Sequence, residues 1–589
     1  MAGAVTLGCM GEAADEARPT SVARADAKAS ERAQPVAPQG VAVDAEEAED
    51  EIAAALEPEA LEEAPPPPHE AERRPTTVAP SPKLEAKSKD AGGMGRASMT
   101  RPMPEKPNTD NEGYDHIAEN DFVAVADDAR STFSIDVDKA SYANVRRFIE
   151  DGSMPPPDAV RIEELVNYFS YDYESPIGSD PFSMDAEVSA SPWNRDNLLV
   201  SIGLQGKVVD QSEAPTRNLV FLLDVSGSMN EPDKLPLLKR GLGLLIDNLR
   251  DDDKVSIVVY AGASGVVLAP TSGRDKHEIL GALDRLEAGG STNGGEGIQL
   301  AYALARKSFV KGGINRVVLA TDGDFNVGVT SRGDLMRLIE EKRESGVFLS
   351  VLGFGTGNVK DSTMEQIADK GNGNYAYIDS IHEAKKVLVE EAGGTLVTIA
   401  KDVKIQVEFN PAEVASYRLI GYENRKLEHD DFNDDAKDAG EIGAGHSVTA
   451  LYEIVPAGTK NIASSTDKLK YQEDSKLSEA AKSGELMTVK IRYKQPDGGK
   501  SKLLSFPVEP EDKTLDAMSD DYRFAAAVAE YGMLLRNSKH RADASYDAVL
   551  RLAKGAVGSD PHGHRTAFLE LVEKTRSLAD RDGALARAE

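Results

Sequence analysis

Leu219-Val220-Phe221-Leu222-Leu223-Asp224-Val225-Ser226-Gly227-Ser228-Met229 decides the fold. Its apolar run is continuous instead of alternating, as expected of a parallel strand buried on both faces. The run stops at one carboxylate and two hydroxyls in alternate positions, Asp224, Ser226 and Ser228, on a glycine-containing loop. Open α/β sheets bind ligands at the carboxyl ends of their strands, so three oxygen ligands are expected at that edge. Hard divalent cations take oxygen ligands, few of which need carry charge.

Two further segments converge on the same edge. Gly289-Gly290-Ser291-Thr292-Asn293-Gly294-Gly295 precedes a helical pattern over 296–309, which leaves the Thr292 hydroxyl on a loop. Arg316-Val317-Val318-Leu319-Ala320-Thr321 is a second apolar strand, and it runs into Asp322-Gly323-Asp324. The order D-x-S-x-S, then Thr, then Asp resembles the metal-ion-dependent adhesion site of von Willebrand factor type A domains. The metal ligands expected are therefore Asp224, Ser226, Ser228, Thr292 and Asp322, around Mg²⁺ (or Mn²⁺ or Ca²⁺). Serine and threonine hydroxyls add no charge, so a cation held this way stays electrophilic. The resemblance implies that it takes a carboxylate from a protein partner into its open coordination position.

Around this segment, strands at 219–224, 255–260, 316–321 and 347–353 alternate with helices at 235–249, 275–286, 296–309, 331–344, 361–370 and 381–392. That pattern predicts βαβ units, a mainly parallel sheet and right-handed crossovers, within a Rossmann-like A domain spanning 217–400. Beyond it the period changes. Val403 to Phe409 alternates strictly, Ser447 to Val455 and Met487 to Tyr493 read similarly, and Gln495-Pro496-Asp497-Gly498-Gly499 is a hairpin turn. Strand patterns over 186–202 precede the A domain as well, so it is expected to be inserted in a β-sandwich region, 401–513. Helical patterns flank both, within an N-terminal accessory region, 114–216, and a C-terminal region, 514–589. Trp193, in the turn Ser191-Pro192-Trp193-Asn194, reads as a core anchor.

The arrangement over 114–589 resembles the bacterial YfbK-type von Willebrand factor A proteins, which are usually lipoproteins. The residues that carry the likeness include Ser131–Asp138 (STFSIDVD), Pro155–Ile162 (PPPDAVRI), Pro192–Asn194 (PWN) and Asp438–His446 (DAGEIGAGH). The likeness implies an accessory region, an A domain and a β-plus-helix region, and no established activity.

The start of the chain reads differently. Residues 11–113 are built from Ala, Glu, Pro, Asp and Ser without an aromatic residue, so little apolar surface can offset the entropy of ordering them. A disordered stalk is expected. Cys9, the only cysteine, closes Met1–Cys9 (MAGAVTLGC), which resembles the tail of a lipobox over 1–10. Thr6 and Leu7 depart from the usual pattern, and no basic region or full apolar stretch precedes them, as if the sequence began at an internal methionine. Lipidation of Cys9 would tether the folded part through the stalk at the outer membrane or in the periplasm.

Composition excludes several classes. With 100 acidic against 68 basic residues the 589-residue chain carries a formal charge of −32, which repels phosphate backbones and anionic lipid. Nucleic acid is not an expected partner. One cysteine rules out a disulfide framework, and no run of about 18 apolar residues occurs to span a membrane.

Rival chemistries fit the residues less well. Asp322-x-Asp324-x-Asn326 mimics the opening of an EF-hand, but the glycine falls at Gly328 and position twelve is Gly333. A phosphatase would need an acid where Ser226 stands, and no G-x-S-x-G, Walker A or H-E-x-x-H pattern occurs. His562-Gly563-His564 is an isolated pair, and the acidic stretch Glu428 to Asp438 reads as a solvated loop. The expectation is a non-enzymatic, cation-dependent adhesion module at the cell envelope. The alternatives are an intracellular A-domain partner of a MoxR-type AAA+ ATPase and, last, a hydrolase.

Overall fold

The computed structural model describes residues 112–209, 214–291, 294–323, 332–356, 360–391, 397–459, 477–496 and 498–586. Cys9, the stalk up to residue 111, Thr292, Asp324 and Asn326 lie outside them.

The strand Arg217–Asp224 lies in the interior of a six-stranded sheet. Its neighbours are Ile314–Thr321 on one side and Lys254–Tyr260 on the other, both parallel to it. Phe348–Phe354 and Tyr375–Ile378 extend the parallel set, and Ser264–Ser272 closes the far edge antiparallel. Apolar side chains alternate between two cores. Val220 and Leu222 face helix Gly294–Lys307 and its neighbours, while Leu219, Phe221 and Leu223 face helices Leu235–Asp247 and Lys276–Asp284. This is the Rossmann-like α/β domain that the pattern predicts. Two of its strands went unread. Tyr375–Ile378 has only four residues, and Ser264–Ser272 is a half-exposed edge without clean alternation. The helix expected over 381–392 is a short α-helix, Ile381–Lys385, that widens into a π-helical turn, Lys386–Glu390.

The domain is inserted in a β-sandwich. One sheet runs in the order Val123–Ala124, Val414–Ile420, Ser447–Pro456, Leu198–Gly206, Phe182–Ala190. The other contains Ile442–Gly443, Thr398–Phe409, Met487–Gln495 and Gly498–Val508, with Arg130–Ser134 paired to Thr398–Phe409. Each sheet thus draws strands from both sides of the insertion. Their inner faces share one core, in which Phe409 stacks on Tyr417 with ring centroids 4.0 Å apart.

A third layer is built from helices before and after the inserted domain. Helices Ala140–Glu150 and Ile162–Asn167 pack with Asp520–Arg536, Tyr546–Lys554 and His564–Ala586 around Phe169, Phe524 and Phe568. Trp193 is buried in this cluster, and its carbonyl accepts from Asp543 N at 3.1 Å, as a core anchor should. Helix Ala140–Glu150 has two partners. Tyr142, Val145 and Ile149 enter the helical core, whereas Ala140 and Ala143 enter the α/β core, where a small side chain permits close approach.

Arginines from the framework hold the inserted domain. Asp361, Glu365 and Asp369 recur every fourth residue on helix Asp361–Lys370 and so share a face. Arg161 contacts Asp361 at 2.8 Å and Glu365 at 3.0 Å, and Arg425, on the loop after Val414–Ile420, contacts Glu365 at 2.9 Å and Asp369 at 2.6 Å. Arg425 also faces Asp138 at 3.2 Å and Asp136 at 3.9 Å. Arg146 grips Asp379 through two nitrogens, at 2.7 and 2.5 Å, and reaches Glu383 at 2.8 Å. Carboxylates outnumber guanidinium groups around Arg425. Burial, with the charge of Asp369 beside it, pushes Asp136 up to about 8, and burial pushes Glu365 up to about 7.

Replacing Arg425 by Met leaves Asp136 and Asp138 without the guanidinium that faces them, a change worth about 3–5 kcal/mol. Raised carboxyl pKa values mean that the folded state binds the extra protons, so the penalty should shrink as pH falls from 8 toward 5. Denaturant unfolding of Arg425→Met and wild type at pH 5 and pH 8 checks both the loss and its direction.

Candidate functional site

Parallel register brings the site together. Leu223 lies opposite Ala320, which sets Asp224 beside Thr321 and leaves Asp322 as the next residue at the same sheet edge. Asp224 and Asp322 are both buried, at 0% and 1% exposure. After Asp224 the chain turns back. Ser226 N donates to Asp224 Oδ1 at 2.8 Å, and Met229 N donates to Ser226 O at 3.0 Å as the turn Gly227–Asn230 begins. Ser226 is buried and Ser228 exposed, yet their Oγ atoms are 3.0 Å apart.

The glycine-rich second loop docks on the first. Gly289 N donates to Val225 O at 2.7 Å, and Gly227 N donates to Gly290 O at 3.1 Å. Gly290 has φ +84°, a conformation that a residue with a Cβ adopts only with strain. Helix Gly294–Lys307 starts shortly afterwards. Of the five ligands expected, four therefore meet at one edge. The fifth, Thr292, lies outside the described residues.

The donor set suits a hard dication. An octahedral Mg²⁺ with ligands at 2.0–2.1 Å needs neighbouring oxygens about 2.9 Å apart. The serine hydroxyls stand at that spacing, and Asp224 and Asp322 supply negative charge from below. Electrostatics point the same way. Burial, with the charge of Asp322 adding to it, pushes Asp224 up to about 6 against the hydrogen bonds from Ser226.

Other side chains at the edge were not legible in the motif. Thr321 Oγ1 is 3.4 Å from Asp224 Oδ2 and accepts from Gly323 N at 3.3 Å. Burial first, and then the charge of Asp224, raises the Tyr260 hydroxyl well above the usual phenol range. Lys234, at the start of helix Leu235–Asp247, donates from Nζ to Asp322 Oδ2 at 2.8 Å. Its only sequence signal is a lysine at the mouth of the helix that follows the Ser226–Ser228 loop, and lysines there are ordinarily solvated.

Two other sequence candidates resolve into structural contacts. His562 and His564 lie 3.3 and 3.2 Å from the Glu390 carboxylate and tie the C-terminal helix to the π-helical turn. In the acidic stretch Glu428 to Asp438, Lys404 Nζ donates to Asp431 O and Asp434 O at 3.0 and 2.5 Å, and Arg343 pairs with Asp438 at 2.6 Å. Among the described residues no cluster of three or more His, Cys, Asp or Glu side chains is placed to hold a metal.

Sequence comparison places these elements among known proteins. The profile of the von Willebrand factor type A domain matches residues 218–389, one described as von Willebrand factor matches 108–201, and one for the C-terminal part of the uncharacterized protein YfbK matches 394–578. The uncharacterized protein YfbK of Escherichia coli (strain K12) is 45% identical over 507 residues, covering 84% of this chain and 86% of that protein. The uncharacterized protein sll0103 of Synechocystis sp. is 30% identical over 196 residues, 33% of this chain and 45% of its own length. Among solved structures, a von Willebrand factor type A protein from Catenulispora acidiphila aligns over 66% of this chain and 89% of its own, at 18% identity and a TM-score of 0.36.

The raised Asp224 carboxyl makes a stability prediction. An acid lifted from about 3.9 to about 6 costs the folded state stability above pH 6, and that cost disappears below about pH 4. In chelator, Asp224→Asn should therefore unfold at a higher temperature than wild type at pH 7.5, by about 2–3 kcal/mol of stability, and the gain should vanish near pH 4. Calorimetry at the two pH values measures it.

Proposed function

This chain belongs to the YfbK-type family of bacterial von Willebrand factor type A proteins, and on that footing we propose that it binds protein partners through a divalent cation at the cell envelope, without catalysing a reaction. The A domain makes it an interaction module. Cation dependence, the envelope location and the lack of catalysis are what we add. The reading rests on one observation above all: the 3.0 Å spacing of the Ser226 and Ser228 hydroxyls above two buried carboxylates at one sheet edge.

In this reading Ser226, Ser228 and Thr292 hold the cation directly, and Asp224 and Asp322 supply negative charge beside it. Mg²⁺ bound there would supply a Lewis-acidic vertex to a carboxylate from the partner. Ser228 is exposed beside it and marks the side from which that carboxylate enters. Asp224 holds the turn through Ser226 N, so the hydroxyls are oriented before the ion arrives. The framework arginines keep the domain seated with this edge at the surface. Among the described residues no helix is long and apolar enough to cross a membrane. Lipidation at Cys9 would then be the tether, and the protein acts from the outer membrane or the periplasm.

The experiment is affinity capture from envelope extract by the immobilised chain, in Mg²⁺ and in EDTA. Partners should be retained in Mg²⁺, released by EDTA, and absent with Asp224→Ala, which should also lose Mg²⁺ binding in calorimetry while keeping its circular dichroism spectrum. The same partners retained in EDTA would sink the cation-dependent reading. Cys9→Ser should move the protein from the membrane to the soluble fraction.

A further inference from the structure

Lys234 stands where a cation is ordinarily unwelcome. It opens helix Leu235–Asp247, whose N-terminal end carries partial positive charge, and its main-chain carbonyl accepts from Leu238 N at 2.8 Å in the first turn. Instead of reaching for water, the side chain runs inward with 10% of its surface exposed, and its ammonium lies 2.8 Å from the fully covered Asp322 carboxylate. The backbone is shaped to admit it. Gly355, at φ +75°, is the residue over which the stem passes, and a Cβ there would fall 2.3 Å from Lys234 Cε and 2.7 Å from its Cγ. The Tyr377 hydroxyl donates to the Gly355 carbonyl at 2.6 Å and fixes that backbone in place.

We propose that Lys234 is a built-in counter-cation that weakens the hold of the site on a metal ion alone and raises its demand for an outside carboxylate. This rests on the metal-binding reading above and names the residue that sets its selectivity. The reasoning is a charge count at short range. Among the described residues at this edge, Asp224 and Asp322 bring two negative charges, Lys234 returns one positive charge, and the serines bring none. A dication beside them then retains a net positive charge that these groups do not cancel. A carboxylate from the partner, an aspartate or glutamate side chain, cancels it. Without the lysine the two aspartates would neutralise the ion by themselves, and the metal would bind tightly but attract the partner weakly. Because coupling between two ligands is reciprocal, the lysine makes metal and carboxylate each depend more on the other. A purely structural lysine, present only to cover a buried aspartate, would stabilise the fold without changing that dependence.

Calorimetric titration of the full chain with Mg²⁺, without and with saturating acetate as the carboxylate, separates the two. Lys234→Met should bind Mg²⁺ alone about tenfold more tightly than wild type, and acetate should strengthen its Mg²⁺ binding less than it does in wild type. Lys234→Arg, which keeps the charge, should stay near wild type in both respects. Gly355→Ala, which leaves the lysine in the chain but drives its stem aside, should shift in the direction of Lys234→Met and guards against misfolding of that variant. Unchanged or weaker Mg²⁺ binding in folded Lys234→Met, with wild type binding normally, overturns the inference and leaves the metal site standing. A wild type that takes up no Mg²⁺ and behaves as Asp224→Ala does would bring down the site itself.

Discussion

Arginine against a row of acids is the contact on which the rest of the molecule depends. Helix Asp361–Lys370 presents Asp361, Glu365 and Asp369 along one face, and Arg161 and Arg425 reach it from two different parts of the framework. A guanidinium has a fixed fork of donors and does not lose its proton, so it can satisfy two carboxylates at once where a lysine would serve one poorly. Buried ion pairs of this kind contribute little net stability against an apolar interface, but they penalise every misaligned arrangement. What the arginines impose is orientation. The α/β domain is seated by its helix Asp361–Lys370 and its segment Asp379–Glu383.

At the sheet edge carrying Asp224 and Asp322 a different situation holds. Burial raises the carboxyls of Asp136 and Glu365 around Arg425, whereas among the described residues Lys234 brings its ammonium group to Asp322 beside Asp224. The difference follows from the elements that supply the groups. Clamp residues come from helices and from a loop pinned by the sandwich, all brought into contact by packing. The site residues come from strand ends and tight loops, where backbone donors such as Ser226 N orient a carboxylate without cancelling its charge.

Much of this was legible in the chain, for a local reason. A strand buried on both faces must be apolar throughout, so Leu219 to Leu223 declares itself, and the polar atoms at its end cannot be there for packing. Asp224, Ser226, Ser228 and Asp322 stand out in that way, and the structure gathers them at one sheet edge. What escaped depends on distant partners. Strand Ser264–Ser272 is an edge whose side chains are half-exposed, so it shows no two-residue period. Strand Leu198–Gly206 pairs with Ser447–Pro456, and no window of sequence contains both. Lys234 reads as a surface lysine until Gly355, more than a hundred residues on, is seen to make room for it. Acids every fourth residue on helix Asp361–Lys370 look like a solvated stripe until the arginines facing them are known.

The way the host sandwich is sewn from both sides of the insert has a consequence for how the chain comes into being. Strand Leu198–Gly206 emerges early in synthesis and finds its neighbour, Ser447–Pro456, only after the entire α/β domain has followed it. Arg130–Ser134 waits still longer for its place beside Thr398–Phe409 relative to its own position in the chain. Pairings so far apart close slowly, because a long loop must be ordered before any contact compensates for it. Until then the largely apolar strand Leu198–Gly206 stands with an open edge, the form in which chains stick to one another. The inserted domain, whose own strands are near in sequence, is the part able to collapse first. It then works as a brace that shortens the distance its host has to close, and a lesion in its core would be expressed first as aggregation of a sandwich it does not belong to.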